Sequence, residues 1–337
     1  MGGYSNRLLE VNNLRTSFFI TEGEVKAVDG ISYYIDKEEI VAIVGESGCG
    51  KSVSQMSIIQ LIQSPPGKIL GGEAIFEGRD LLKLNSSEIR RVRGAEIAFI
   101  FQEPMTALNP VITVGKQLSK DIRTHKKVSR KEAWNIATEA LKAVKIPDPE
   151  KRMKNYPFEM SGGMRQRVMI ANAVACNANL IIADEPTTAL DVTTQAQVME
   201  LLVSIVKEYK TSLIVVTHNL GLVTRYADRI YVMYAGRIVE SGTCKEIMKN
   251  PSHPYTLGLL KSVPKLDSDV DEKLIPITGA PPTLLNAPDT CAFLPRCPYA
   301  SEICRCNSKP ELHKINGGNH LIACYRDIAR LKNEHDY

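Results

Sequence analysis

A chain of 337 residues is long enough for about two domains of ordinary size. Its 44% hydrophobic and 24% charged content is that of a globular protein, which excludes a mainly disordered, collagen-like or coiled-coil chain. A net charge of +4 with no basic block argues against nucleic acid as a partner, and no apolar run approaches the roughly 18 residues that span a bilayer.

From residue 8 to residue 34, apolar and polar positions alternate at 26–31 and 32–35, the period of antiparallel strands at one edge of a fold. Residues 40–44 (IVAIV) are wholly apolar and read as a strand buried on both faces. The runs 97–101 (IAFIF), 180–183 (LIIA) and 213–216 (LIVV) repeat that pattern. Helical stretches at 51–61, 131–144, 163–175 and 193–208 lie between them, so right-handed crossovers and a layered α/β core are expected. After about residue 260 the character changes. Pro264, Pro276, Pro281, Pro282, Pro288, Pro295, Pro298 and Pro310 break any long element. Five of the eight cysteines also fall in the last 47 residues. Residues 1–6 lack the apolar core of a signal peptide, and Asn6 stands where a myristoylation motif needs Ser or Thr. A cytosolic, reducing setting is therefore expected, where these thiols would not pair as disulfides.

Directly after the strand 40–44, Gly45-Glu46-Ser47-Gly48-Cys49-Gly50-Lys51-Ser52 fits G-x-x-x-x-G-K-[ST]. The glycines let the backbone turn its N–H groups inward onto phosphate oxygens, and the following helix adds its positive end. Lys51 can reach the β- and γ-phosphates and Ser52 can ligand Mg²⁺. These eight residues, with Val53 behind them, are the candidate ATP-binding set. The strand 180–183 ends in Asp184, placed to hold Mg²⁺, and Glu185, whose side chain should point the other way and polarise a water for in-line attack. A solvated acidic pair is common at strand ends; behind a phosphate loop the pair points to nucleoside triphosphate hydrolysis.

Between these motifs, Met160-Ser161-Gly162-Gly163-Met164-Arg165-Gln166-Arg167 resembles the signature loop of ATP-binding cassette (ABC) proteins. The resemblance spans about residues 7–260. By it, Gln102 matches the Q-loop glutamine and joins Mg²⁺ with Ser52 and Asp184. Ala189-Leu190-Asp191 matches the D-loop, and His218 matches the switch histidine that acts with Glu185 and Gln102 in catalysis. Phe18, or its neighbour Phe19, takes the place of the adenine-stacking aromatic. Ser161, Gly162, Gly163 and Met164 would face the ATP of a partner cassette. Downstream, His253-Pro254-Tyr255-Thr256, Ile277-Thr278-Gly279-Ala280-Pro281-Pro282 and Phe293-Leu294-Pro295-Arg296-Cys297-Pro298 are similar to the D-type ATP-binding subunits of bacterial and archaeal dipeptide/oligopeptide importers, a group that includes nickel importers. Cys49 departs from that family, which commonly has Ser there; only its backbone N–H should matter.

The resemblance implies an α/β phosphate-loop cassette at 1–260, with a mixed sheet core, an antiparallel β edge and a helical subdomain at about 103–160. A small, irregular Cys/Pro-rich tail follows at 261–337. It implies an ATPase, using ATP and Mg²⁺, that drives uptake of peptides, or alternatively nickel or another small solute. A second cassette would pair with it head-to-tail, two membrane permeases would receive the motion, and an external binding protein would deliver cargo. The chain would sit at the cytoplasmic face of the membrane. A non-transport cassette ATPase is the reading from another class, but neither a second cassette nor a coiled-coil insertion is visible.

Cys291, Cys297, Cys304, Cys306 and Cys324 show no C-x₂₋₄-C zinc knuckle. The wider spacing and Cys297-Pro298 are closer to the ligands of an iron–sulfur cluster. The family's recurring positions match Cys291, Cys297, Cys304 and Cys324, implying a [4Fe–4S] cluster with Cys306 spare. Zinc, in a mixed site with His313 or His320, and free thiols or a disulfide are the alternatives.

Overall fold

The computed structural model describes residues 6–188, 191–262, 276–287, 289–315 and 318–326. Its strands in chain order are β1 (Arg7–Ile20), β2 (Gly23–Asp36), β3 (Ile40–Val44), β4 (Gly67–Phe76), β5 (Arg79–Asp80), β6 (Ile97–Ile100), β7 (Leu180–Asp184), β8 (Ser212–Thr217), β9 (Arg229–Tyr234), β10 (Arg237–Thr243), β11 (His313–Lys314) and β12 (Leu321–Ile322). The four apolar runs are all strands, and β3, β7 and β8 are buried at every position, as residues covered on both faces must be. The helices Lys51–Ile58, Arg130–Ala143, Gly162–Ala175 and Val192–Tyr209 match the four helical stretches to within three residues at each end.

The chain divides into two compact units. One comprises the described residues of Met1–Ile35, Ile40–Leu82 and Thr217–Tyr337; the other comprises Asp36–Glu39 and Lys83–Val216. In the first, β2-β1-β4-β5 form the antiparallel sheet expected of the alternating N-terminal segment. Leu9, Val11 and Leu14 of β1 meet Ala74 and Phe76 of β4 in a wholly buried core. The same unit holds a mixed set in the order β11-β12-β10-β9-β3. There β3 and β9 are parallel, and the β9–β10, β10–β12 and β12–β11 pairs are antiparallel.

The C-terminal segment thus adds two short strands to this sheet, covering the edge of β10 that would otherwise present unpaired backbone groups. It is fastened further by His320, whose Nε2 lies 2.7 Å from Glu240 Oε1 in a pair almost wholly shielded from water. Glu240 also accepts the amides of Ser252 and His253 at 2.7 and 2.9 Å. Docking of this kind replaces the core that a proline-rich segment lacks.

In the second unit β6, β7 and β8 run parallel in the order β8-β7-β6, with residues 104–175 supplying a run of helices between β6 and β7. The Val114–Lys126, Arg130–Ala143 and Gly162–Ala175 helices bury Leu118, Ile122, Ala133, Ala137, Leu141 and Val168. Among the described residues no helix is long and apolar enough to cross a membrane.

Candidate nucleotide-binding site

The phosphate loop lies where the sequence puts it, between β3 and the Lys51–Ile58 helix. Two of its glycines are dictated by backbone neighbours. A Cβ at Gly45 would come within 2.1 Å of the Met233 carbonyl, and one at Gly50, where φ is +98°, within 2.0 Å of the Ala27 carbonyl. Lys51 is nearly buried, and its ammonium donates to the Gly45 and Glu46 carbonyls at 2.8 and 2.9 Å across the base of the loop. Ser47 and Gly48 form the exposed tip, while Ser52 and Val53 are half-buried at the helix start. The buried Cys49 thiol lies 3.9 Å from the Lys51 ammonium, and burial raises its pKa.

The loop is also gripped from outside. Arg296, from the C-terminal segment, donates to both carboxylate oxygens of Glu46, at 2.6 and 2.9 Å. The Glu46 amide donates to the Tyr255 hydroxyl at 2.7 Å. Phe18, on β1, is half-buried, whereas Phe19 is 50% exposed. His218, at the end of β8, is exposed rather than a core histidine.

In the other unit β7 delivers Asp184 and Glu185, 5% and 8% exposed. Glu185 sits at φ +44°, a left-handed conformation uncommon outside glycine, and its amide donates to the Val216 carbonyl at 2.9 Å. Glu185 Oε2 accepts from Gln102 Nε2 at 3.3 Å and from Thr188 Oγ1 at 2.7 Å. The structure brings Gln102 and Glu185 together and adds Thr188, which the sequence reading passed over. Its only signal was its place three residues beyond Glu185 in D-E-P-T-T.

Ser161 caps the Gly162–Ala175 helix, its Oγ accepting the Met164 amide at 3.3 Å. Asp191 caps the Val192–Tyr209 helix the same way, accepting the Thr194 amide at 2.9 Å and the Thr194 hydroxyl at 2.7 Å. The Thr194 amide bond holds the Asp191 carboxyl below its usual pKa. Ala189 and Leu190 of the expected D-loop lie outside the described residues. Both helix starts line one open cleft together with Lys145 and Arg167. Two positive helix ends and two cations, against Asp191 as the one acidic lining residue, make this cleft suited to an anion.

In the tail, Cys291, Cys297, Cys304 and Cys324 line one small apolar pocket with Phe293 and Leu294, and Cys306 is not among its lining residues. None of them forms a disulfide with another described cysteine. Burial is the main influence on Cys297, pushed up to about 11, and Cys324, pushed up to about 12. Among the described residues no three His, Cys, Asp or Glu side chains are grouped to hold a metal ion. The expected metal centre therefore gains no support from the geometry, and the mixed zinc site is corrected. The His320 imidazole is committed to Glu240, while His313 is exposed on β11; neither lines the cysteine pocket.

A strand, a glycine loop closed by a lysine, an acidic strand end and a capped signature helix define an ATP-binding cassette. Comparison with known proteins agrees. The ABC transporter family model matches residues 28–188, and the model of the oligopeptide/dipeptide transporter C-terminal region matches residues 239–304. The oligopeptide transport ATP-binding protein OppD of Bacillus subtilis is 51% identical over 315 residues, covering 94% of this chain and 88% of that protein. The dipeptide transport ATP-binding protein DppD of Bacillus subtilis is 50% identical over 326 residues, covering 97% and 96%. Among solved structures, a dimer of the ATP-binding cassette MJ0796 in a post-hydrolysis state with ADP and Pi superposes with a TM-score of 0.63 at 28% identity. It covers 70% of this chain and 98% of that one. The chain belongs to the oligopeptide/dipeptide transporter family of ABC ATPase subunits.

Proposed function

We propose that this chain is the ATP-hydrolysing motor of an importer for di- or oligopeptides, working at the cytoplasmic face of the membrane. The relatives named for peptide transport resemble it along nearly their whole length, tail included. The observation that carries the chemistry is the Glu185 carboxylate, turned by a left-handed backbone and held by Gln102 and Thr188. In this reading Glu185 is the general base toward water, and Gln102 and His218 report on the γ-phosphate. Lys51 and the loop amides would neutralise phosphate charge, and Ser52, Gln102 and Asp184 would hold Mg²⁺, which would supply further charge neutralisation to the phosphates. The polarity of the signature cleft supports a head-to-tail pair with a second cassette, its Ser161-to-Met164 turn facing that subunit's nucleotide.

The division into a cassette at 1–260, a helical subdomain at about 103–160 and a tail at 261–337 is part of this proposal. So is docking of the helical subdomain on two permeases. On that subdomain Met105 and Val111 are 53% and 78% exposed, which leaves them free to meet a permease. Gln117 braces the loop between them by donating to the Asn109 and Ile112 carbonyls. From their spacing and Cys297-Pro298, and not from their geometry, we also propose a [4Fe–4S] cluster held by Cys291, Cys297, Cys304 and Cys324, which would act as a structural crosslink of the tail. Glu185→Gln keeps shape and hydrogen bonding but removes the base. In the assembled transporter it should bind ATP as the parent does and lose at least a hundredfold in turnover. Near-normal ATPase activity would sink the assignment.

A further inference from the structure

The grip of the C-terminal segment on the phosphate loop is stronger than docking requires, and it falls on one loop residue. The Arg296 side chain is 5% exposed and Glu46 25%, so their paired N–H···O contacts form a shielded fork-to-fork ion pair. The remaining guanidinium N–H groups are spent as well. Nε donates to the Thr278 carbonyl at 3.1 Å, Nη2 to the Ile277 carbonyl at 3.3 Å, and Nη1 to the Tyr234 hydroxyl at 3.3 Å. A planar arginine satisfied on all sides has one position, and it fixes the carboxylate it holds.

The backbone of the same residue is fixed separately. Tyr255, fully buried, accepts the Glu46 amide, and its ring packs against Tyr234 and Phe293 at centroid distances of 4.5 and 5.5 Å. The Glu46 carbonyl in turn receives the Lys51 ammonium. Both the amide and the carboxylate of Glu46 are thus engaged away from the loop interior, and its carbonyl sets where Lys51 rests.

We propose that Arg296 is a positioning residue for nucleotide binding: through Glu46 it holds the phosphate loop open in its binding shape before ATP arrives. This rests on the reading of residues 45–52 as the ATP site. A loop ordered in advance loses less freedom when phosphate binds, so the clamp contributes to affinity rather than to the chemical step.

The test uses the full chain and a non-hydrolysable ATP analogue with Mg²⁺, followed by ATPase kinetics in the assembled transporter. Arg296→Gln should weaken analogue binding about tenfold and raise KM for ATP to match, with kcat at saturating ATP within twofold of the parent. Arg296→Lys keeps the charge but not the fork and should fall between. The double variant Arg296→Gln/Glu46→Gln should bind no more weakly than Arg296→Gln alone, since the two act as one unit. If Arg296→Gln does not fold, Arg296→Lys decides, together with Tyr255→Phe, which removes only the acceptor of the Glu46 amide and should cost a few-fold in affinity. Unchanged affinity in the folded Arg296 variants, additive losses in the double variant, or an effect on kcat alone would each overturn the proposal. Lys51→Ala separates the two readings: if it still binds the analogue like the parent, the ATP site itself is misassigned.

Discussion

His253 has no solvent exposure to speak of, and desolvation holds its imidazole down at about pKa 4 against a usual 6.5. Its Nδ1 accepts the Tyr255 amide at 3.1 Å and so must be unprotonated to cap the Pro254–Lys261 helix. The folded pKa lies below the unfolded one, so above pH 6.5 neither state takes a proton and nothing changes. As pH falls from 6.5 toward 4 only the unfolded chain is protonated, and stability is lost. The loss from this group should reach about 2 kcal/mol between pH 7.5 and 5. Urea unfolding at the two pH values measures it, and His253→Asn, which retains a capping acceptor, should remove most of the difference. At this scale the motif residues Lys51, Ser52, Asp184 and Glu185 were legible from their spacing, whereas Thr188, bonded to Glu185, was not. The sequence reading placed Arg296 and Tyr255 in motifs but gave no warning of their contacts or of Glu240's, because the partners lie 250, 209 and 80 residues away in the chain and no local spacing encodes such pairs.

Helix starts do double service here. Ser161 satisfies a free amide of its own helix while standing at the mouth of the signature cleft, so Ser161→Ala would confound a lost cap with a lost contact. Ser161→Asp separates them. Aspartate caps as well as serine, so thermal stability should stay within about 0.5 kcal/mol of the parent. If, as proposed, this cleft takes the γ-phosphate of a partner's ATP, a carboxylate there should nevertheless abolish ATPase activity in the assembled transporter. Intact activity would show that the cleft takes no phosphate. The elements themselves were readable where burial is two-sided: β3, β6, β7 and β8 announce themselves as unbroken apolar runs. β9 was passed over although only its first residue, Arg229, is charged and the five that follow are apolar, whereas in β10 Glu240 breaks the run after Ile238 and Val239. Those charges are tolerated by partners from elsewhere: Arg229 stacks over the Tyr34 ring at 4.4 Å, and Glu240 meets His320.

Across the whole molecule, the C-terminal segment contributes strands to one sheet, a histidine to a buried carboxylate and an arginine to the phosphate loop. Its four-cysteine pocket is tested by metal content. Protein purified without oxygen should be brown, absorb near 400 nm and contain about four irons and four sulfides per chain if the thiols hold a cluster. Stoichiometric zinc, or a colourless protein with all thiols titratable, would refute that. Proline spacing showed that this segment needs outside support; which surfaces supply it was beyond reach, since two-residue strands leave no period to read.

The pairing of β12 with β10 has a further consequence, for descent. An ancestral cassette that gained such a segment as an ornament could have lost it again at little cost. Once the sheet edge, the Glu240 carboxylate and the phosphate loop came to depend on the newcomer, deletion would unseat all three together, with no single repairing substitution. Dependence of this kind would work as a ratchet, making the appendage costly to lose whether or not its first advantage still mattered.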